Sequence, residues 1–234
     1  MMTFDPLGDG ISRVEHLDHM GDDLRVVNAA RISFDRESHL ECDDTGQWLQ
    51  DQDEKLIGFL AENEHVSPFF HPQICLRITM PSFLAHQWWR STVGVSRSEV
   101  YRRYVVAEPQ CYQPPHWRLR AQQPKAGSGT GELGAERQAA LSVEVERLYR
   151  DIRTLYGQMI QEGVAPELAQ AVLPQATYTR WIETGSLHYF VRACGLHTGP
   201  MAQRELRLYA EAVSEIVGGL FPVSWKALTR HTAA

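Results

Sequence analysis

Ile74-Cys-Leu-Arg-Ile-Thr-Met-Pro-Ser-Phe-Leu-Ala-His-Gln-Trp-Trp-Arg90 changes its period part-way along, and that change sets the fold class. From 74 to 80, Ile74, Leu76, Ile78 and Met80 alternate with Cys75, Arg77 and Thr79, which predicts a strand with one buried face. Pro81 and Ser82 then open a helix carrying Gln87 to Arg90. Upstream, residues 13–18 read as a short strand ending in the Met20-Gly-Asp-Asp23 turn, and Asp22 or Asp23 caps a helix that stops near Ser33. Residues 51–62 place Leu56, Ile57, Phe59 and Leu60 largely on one side of an amphipathic helix whose acidic first turn suits the helix dipole. Downstream, Leu141, Val145, Leu148, Ile152, Leu155 and Met159 recur at steps of three and four, the core stripe of a long helix. Shorter helices around 166–173, 186–194 and 201–220 complete a mostly helical protein with a few strands.

A chain of 234 residues, 43% of them hydrophobic, is long enough to bury a substantial core. Its net charge of -6 argues against indiscriminate binding to a nucleic-acid backbone, which needs a broad cationic surface, while a local basic pocket remains compatible. Cys42, Cys75, Cys111 and Cys194 lack the short paired spacing of a zinc site and read as reduced, mostly buried thiols. The N-terminal residues lack the basic flank and apolar run of a signal peptide, and no stretch is long and apolar enough to span a bilayer, so the expectation is a cytoplasmic protein. Residues 119–136, rich in Gly, Ser and Ala, read as a flexible loop within one domain spanning 1–234; no apolar strand precedes it and no Gly-Lys-Ser/Thr closes it, as a P-loop would require.

The densest chemistry lies in Ser96-Arg-Ser-Glu-Val-Tyr-Arg-Arg-Tyr104, with Tyr112-Gln-Pro-Pro-His-Trp117 behind it and Gln87-Trp-Trp-Arg90 before it. Guanidinium forks match phosphate oxygens and the edge of a planar base, so this mixture of Arg, carboxylate and phenol suits an anionic, ring-containing ligand such as a nucleotide. The same residues also read as a solvated charged face with a few salt bridges.

Taken in order, the segments resemble the flavin-dependent thymidylate synthase (ThyX) family. Those that carry the resemblance are Met20-Gly-Asp-Asp-Leu24 with Val27-Asn-Ala-Ala-Arg-Ile-Ser-Phe34, Glu64-His-Val-Ser-Pro-Phe-Phe-His71, the stretch from Phe83 to Arg90 with Glu99 to Tyr104, Val172-Leu-Pro174, Tyr178-Thr-Arg180 and Ala202-Gln-Arg-Glu205. The resemblance implies an α+β fold, helices packed around a small, mainly antiparallel sheet, in a homotetramer whose sites are shared between subunits. It further implies FAD as cofactor, methylenetetrahydrofolate as carbon donor and NADPH as reductant, in C5-methylation of a uridine monophosphate. No catalytic cysteine is then needed; the other thymidylate synthase family uses one beside a Pro-Pro pair, whereas Pro114-Pro115 is followed here by His116.

Carried over by position, Ser33, His65, Ser67, Arg90, Ser91, Ser186, His188 and Arg192 would touch the flavin. Gln87, Arg90, Glu99, Tyr101, Arg102, Arg103, Gln170 and His197 would surround the nucleotide, with Arg90, Arg103 and His197 in catalytic roles. No metal is expected; His65 with His71 lacks a third ligand. Trp88 and Trp89 are assigned to packing. The chain also departs from the family. Arg90-Ser-Thr92 stands where an Arg-His-Arg is usual, Ser98 for an Asn, Tyr101 for a Ser, Phe70 for an acidic residue, and Gln170 and His197 for arginines. Because these changes gather around the substrate, the expected substrate is UMP, alone or with dUMP, as for a methylase of nucleoside-antibiotic pathways. A dUMP-only thymidylate synthase and a flavin- or nucleotide-binding homologue without turnover are the alternatives; an RNA-binding module is disfavoured by the acidic composition.

Overall fold

The computed structural model describes residues 2–44, 46–105, 107–120, 131–199 and 202–230. In chain order the elements are β1 (Thr3–Phe4), β2 (Arg13–Met20), α1 (Asp23–Arg31), the small ribbon β3 (Glu41–Asp43) and β4 (Gly46–Trp48), and α2 (Asp51–Glu62). There follow β5 (Gln73–Pro81), α3 (Ser82–Trp88), β6 (Val95–Glu99), the long α4 (Ala135–Gln161), α5 (Pro166–Ala169), β7 (Tyr178–Ser186), α6 (Leu187–Thr198), α7 (Arg204–Leu220) and α8 (Pro222–Thr229). The main sheet has the order β1-β2-β5-β7-β6 with every pair antiparallel, so the α+β expectation holds.

β5 lies at its centre because its alternation supplies a fully apolar inner face: Ile74, Leu76, Ile78 and Met80 are completely buried. α7 covers that face, anchored by the Tyr209 hydroxyl donating to the Thr79 carbonyl at 2.8 Å. Asp22 caps α1 as read from the sequence, accepting from the Arg25 amide at 3.0 Å. Its neighbour Asp23 does a second job that only the tertiary structure reveals: its carboxylate accepts the Val223 and Ser224 amides, each at 2.9 Å, and so caps α8 across 200 residues of chain.

β7 was not expected as a strand. Its inward positions hold Trp181, Glu183 and Gly185, while Ile182 faces outward and is 39% exposed, so the hydrophobic alternation is inverted. Pairing with β5 along its whole length compensates, in a register that runs from Gln73 opposite Ser186 to Pro81 opposite Tyr178.

Other expectations need correcting. The stripe on α4 is not a core stripe in the chain: Leu148 and Leu155 are 54% and 46% exposed, and Tyr156 is its one buried residue. A 27-residue helix is about 40 Å long, and this one packs chiefly against α5 and the turn at Gln170–Val172, so its length outruns its support. In α2, Ile57 and Leu60 are buried but Phe59 is 53% exposed. α3 ends at Trp88, leaving Arg90 beyond the helix. Of the four free thiols only Cys194 is buried; Cys42 is exposed, and Cys75 and Cys111 are partly so. Within the Gly-rich stretch, residues 121–130 lie outside the described residues; its flanks pair, the Leu119 amide donating to the Gly131 carbonyl at 2.7 Å and Arg118 bridging to Glu132.

Candidate functional site

Two cavities collect seven of the fifteen candidate residues. The larger, about 860 Å³, is bounded by α1, α2 and the turn Ser67–Phe70, and takes in Ser33, His65 and Ser67 together. Its cations are Arg31, Arg36 and Lys55; its apolar wall is Leu56, Phe59, Leu60 and Pro68. Arg31 is committed to the buried Asp53, whereas Arg36 and Lys55 have no carboxylate partner among the described residues. Exposed Phe59 is thus a wall of the cavity. The smaller cavity, about 460 Å³, gathers Glu99, Tyr101, Arg102 and Gln170 with Ser82, His86 and Thr177 to Thr179. Thr179 donates its hydroxyl to the Glu99 carboxylate and fixes that side chain on the β6 edge. Tyr101 stacks edge-on against Tyr104 at 5.7 Å.

Remaining candidates fall into further groups. Ser186 is buried as the cap of α6, accepting from the Tyr189 amide at 3.1 Å, and its own amide donates to the Gly94 carbonyl at 2.9 Å. His188, on the first turn of α6, packs at a tilt against Phe70, ring centres 4.8 Å apart, and its buried Nδ1 has no hydrogen-bond partner among the described residues. Burial, reinforced by the Arg192 charge one turn on, pushes the imidazole below its ordinary pKa. Gln87 donates to the Gln203 side chain at 3.0 Å, and Gln203 in turn donates to Glu205 at 3.1 Å. Glu205 is buried yet also held by Arg118 at 2.8 Å, which keeps its carboxyl below the usual range against the opposing desolvation. His197 stacks face-on over Trp88 at 5.5 Å, and burial lowers its pKa too. Arg90, Arg103 and Arg192 are exposed, and Ser91 is partly buried.

The chain therefore brings Glu99, Tyr101, Arg102 and Gln170 to one cavity and Ser33, His65 and Ser67 to another. It leaves Gln87 bonded to Gln203 and His197 stacked on Trp88, and it does not bring Gln87, His197, Arg90 or Arg103 to the lining of either cavity. Sequence reasoning overlooked the most completely buried polar group in this region. Glu183, on the inner face of β7, receives Arg97 Nε at 2.9 Å, Trp181 Nε1 at 3.0 Å, Trp88 Nε1 at 3.1 Å and the Tyr189 hydroxyl at 3.4 Å. The usable signal was a lone Glu among the aromatic and β-branched residues of Tyr178–Ser186.

Residues 15–223 match the family model of the thymidylate synthase complementing proteins. The chain belongs to the flavin-dependent thymidylate synthase family. Among its relatives, a flavin-dependent thymidylate synthase of Thermus thermophilus is 33% identical over 98% of this chain and 79% of its own length. That of Anaplasma marginale is 34% identical over 96% and 74%. Among solved structures, the UMP/dUMP methylase PolB from Streptomyces cacaoi, bound with 5-Br UMP, superposes with a TM-score of 0.79 at 25% identity, covering 93% of each chain. Membership in this family makes the chain a flavin-dependent methyltransferase acting at C5 of a uridine nucleotide.

The larger cavity fits a flavin dinucleotide on its own chemistry. Cations without a carboxylate partner among the described residues suit a pyrophosphate, an apolar wall suits flat rings, and Ser33, His65 and Ser67 add polar side chains to the lining. The unpartnered His188 Nδ1 beside Phe70 is a further polar atom lacking a protein partner among the described residues, on the helix that packs against the same turn.

Proposed function

We propose that the chain methylates C5 of UMP as well as dUMP, taking the carbon from methylenetetrahydrofolate and reducing equivalents from NADPH, with FAD held by Ser33, His65, Ser67, Ser186, His188 and Arg192. The observation that carries this reading is the smaller cavity, where a carboxylate, a phenol, a guanidinium and an amide converge in a chain whose fold matches that of a UMP/dUMP methylase. Flavin supplies hydride chemistry at this site when bound. The chain's own residues have a positioning and electrostatic task. C5 of uracil is a poor nucleophile, so donors aimed at a ring carbonyl must draw charge toward oxygen; Arg102 and Gln170 supply them. Glu99, fixed by Thr179, accepts from ring N–H. Tyr101 stands where a smaller residue is usual, and its phenol is the partner for a ribose 2′-hydroxyl. Arg90 and Arg103 provide forks for the phosphate.

The exposed arginines, Gln87 and His197 enter the same site only if neighbouring subunits complete it. We read the uncovered stripe of α4 as a face of a homotetramer, because Leu148 and Leu155 on that stripe are 54% and 46% exposed. Replacing Leu148 and Leu155 together by Glu is expected to give a smaller species by light scattering and to abolish turnover; an unchanged mass would remove this face from the assembly.

Release of tritium from 5-tritiated UMP and dUMP, with FAD, NADPH and methylenetetrahydrofolate, tests the activity. Release from both nucleotides is expected. Release from dUMP alone removes the ribonucleotide, and flavin-loaded protein silent on both is the non-catalytic homologue.

A further inference from the structure

Glu183 has no accessible surface, and its side chain is met by donors from three other elements: Trp88 on α3, Arg97 on β6 and Tyr189 on α6, besides Trp181 on its own strand. Arg97 spends the rest of its guanidinium fork elsewhere. Its Nη2 donates to the Ser91 carbonyl at 2.7 Å and to the Tyr189 hydroxyl, also at 2.7 Å. Since that hydroxyl accepts from Arg97, its own proton is directed to Glu183, and the network closes on itself. The arginine also lies over the Tyr189 ring, 5.6 Å from its centre.

Each arm of this network ends next to a residue of the proposed site. Trp88 is the neighbour of Gln87 in α3, and its ring supports His197. Ser91 follows Arg90 in the segment that departs from the family's usual Arg-His-Arg, and its carbonyl is tied down by Arg97. Arg97 itself lies two residues before Glu99 on the same strand, so its partners fix the strand that delivers Glu99 to the smaller cavity. A hydrophobic pair at these positions would pack as well, but could not restrain a backbone carbonyl, an indole and a phenol at once.

We propose that Arg97 and Glu183 are positioning residues for the methylation site, holding the Arg90–Ser91 backbone, the His197-bearing stack and the Glu99 strand in one geometry. This rests on the reading of the site given above. Lys cannot replace Arg97, because an ammonium lacks the planar fork that serves Glu183, Ser91 and Tyr189 together.

The test separates stability from positioning. Removing one partner leaves a charge buried alone, so Arg97→Met and Glu183→Gln each lower the melting temperature, Arg97→Met by about 10 °C. The double variant Arg97→Met with Glu183→Gln restores most of the melting temperature, because no lone charge remains. It does not restore the Ser91 restraint: kcat/KM for nucleotide stays about 100-fold down, mainly in kcat, and Arg97→Lys shows the same kinetic defect. Hydrogen exchange over residues 89–94 is faster in the double variant than in the parent protein. Recovery of both stability and turnover in the double variant overturns the proposal, as does unchanged exchange over 89–94. The exchange measurement decides it even if the parent protein releases no tritium, an outcome that would count against the assigned reaction alone.

Discussion

β5 and β7 are neighbours in one sheet, share a register and bury the same face, yet they do different work. Opposite Ile74, Leu76 and Ile78 on β5 stand Gly185, Glu183 and Trp181 on β7. Leu76 and Glu183 are both fully buried. One strand gives a hydrophobic ladder that any apolar core could use; the other puts a carboxylate there and surrounds it with four donors. The difference teaches that one layer of this protein holds both an apolar ladder and a buried carboxylate, and that this carboxylate is accommodated by the four donors that meet it.

The sharpest way to break this contrast is to truncate each side. Glu183→Ala strands Arg97 and two indole N–H groups, so a loss of about 3–5 kcal/mol in urea denaturation is expected, together with loss of tritium release. Leu76→Ala should cost a comparable or smaller amount, about 2–5 kcal/mol through the cavity it leaves, while kcat/KM measured below the melting transition stays near that of the parent. If Leu76→Ala reduced turnover as much as Glu183→Ala does, the division of labour between the strands would fail.

A milder change sharpens the comparison at Gly185. A methyl group there would run into the Tyr189 ring, so Gly185→Ala should destabilise by about 1–3 kcal/mol by pushing that ring and its hydroxyl away from Arg97. Calorimetry checks the stability, and a KM and kcat measurement checks whether the displaced phenol is felt at the site.

The smallest effect is a pH dependence from the histidines flanking these strands. Burial lowers the pKa values of His16, His188 and His197 from 6.5. The unfolded chain therefore takes up protons first as pH falls, and their contribution to stability is fully present above about pH 6.5 and lost as pH drops through the lower folded values. Urea midpoints should be equal at pH 8 and pH 7 and lower at pH 5. His197→Phe, which keeps a ring on Trp88 without a titrating group, should flatten part of that slope.

Much of the frame was readable in the residues. The Ile74 to Met80 alternation, the Asp22 cap and the Asp51–Glu62 helix each depend on neighbours within a few positions and formed as expected, apart from Phe59, which faces a cavity and not the core. Collinear landmarks also led to the family. What stayed hidden depended on distant partners. β7 reads poorly because its inner face is Trp, Glu and Gly, and only pairing with β5 makes it a strand. The α4 stripe identifies a face that favours burial but says nothing of what covers it. Arg97 looked like one more cation in a basic run, although it belongs to Glu183, 86 residues away in sequence.

By itself, then, the sequence determined local periods, caps and the set of residue types suited to a nucleotide, because those follow from chemistry within a turn or two of chain. Tertiary structure alone decided that Asp23 caps a helix 200 residues away, that seven of the candidate residues divide between two separate cavities, and that Glu183 is met by donors from three other elements. The physical reason is that a buried charge is acceptable only when folding brings every partner to it, and no stretch of sequence contains that information locally.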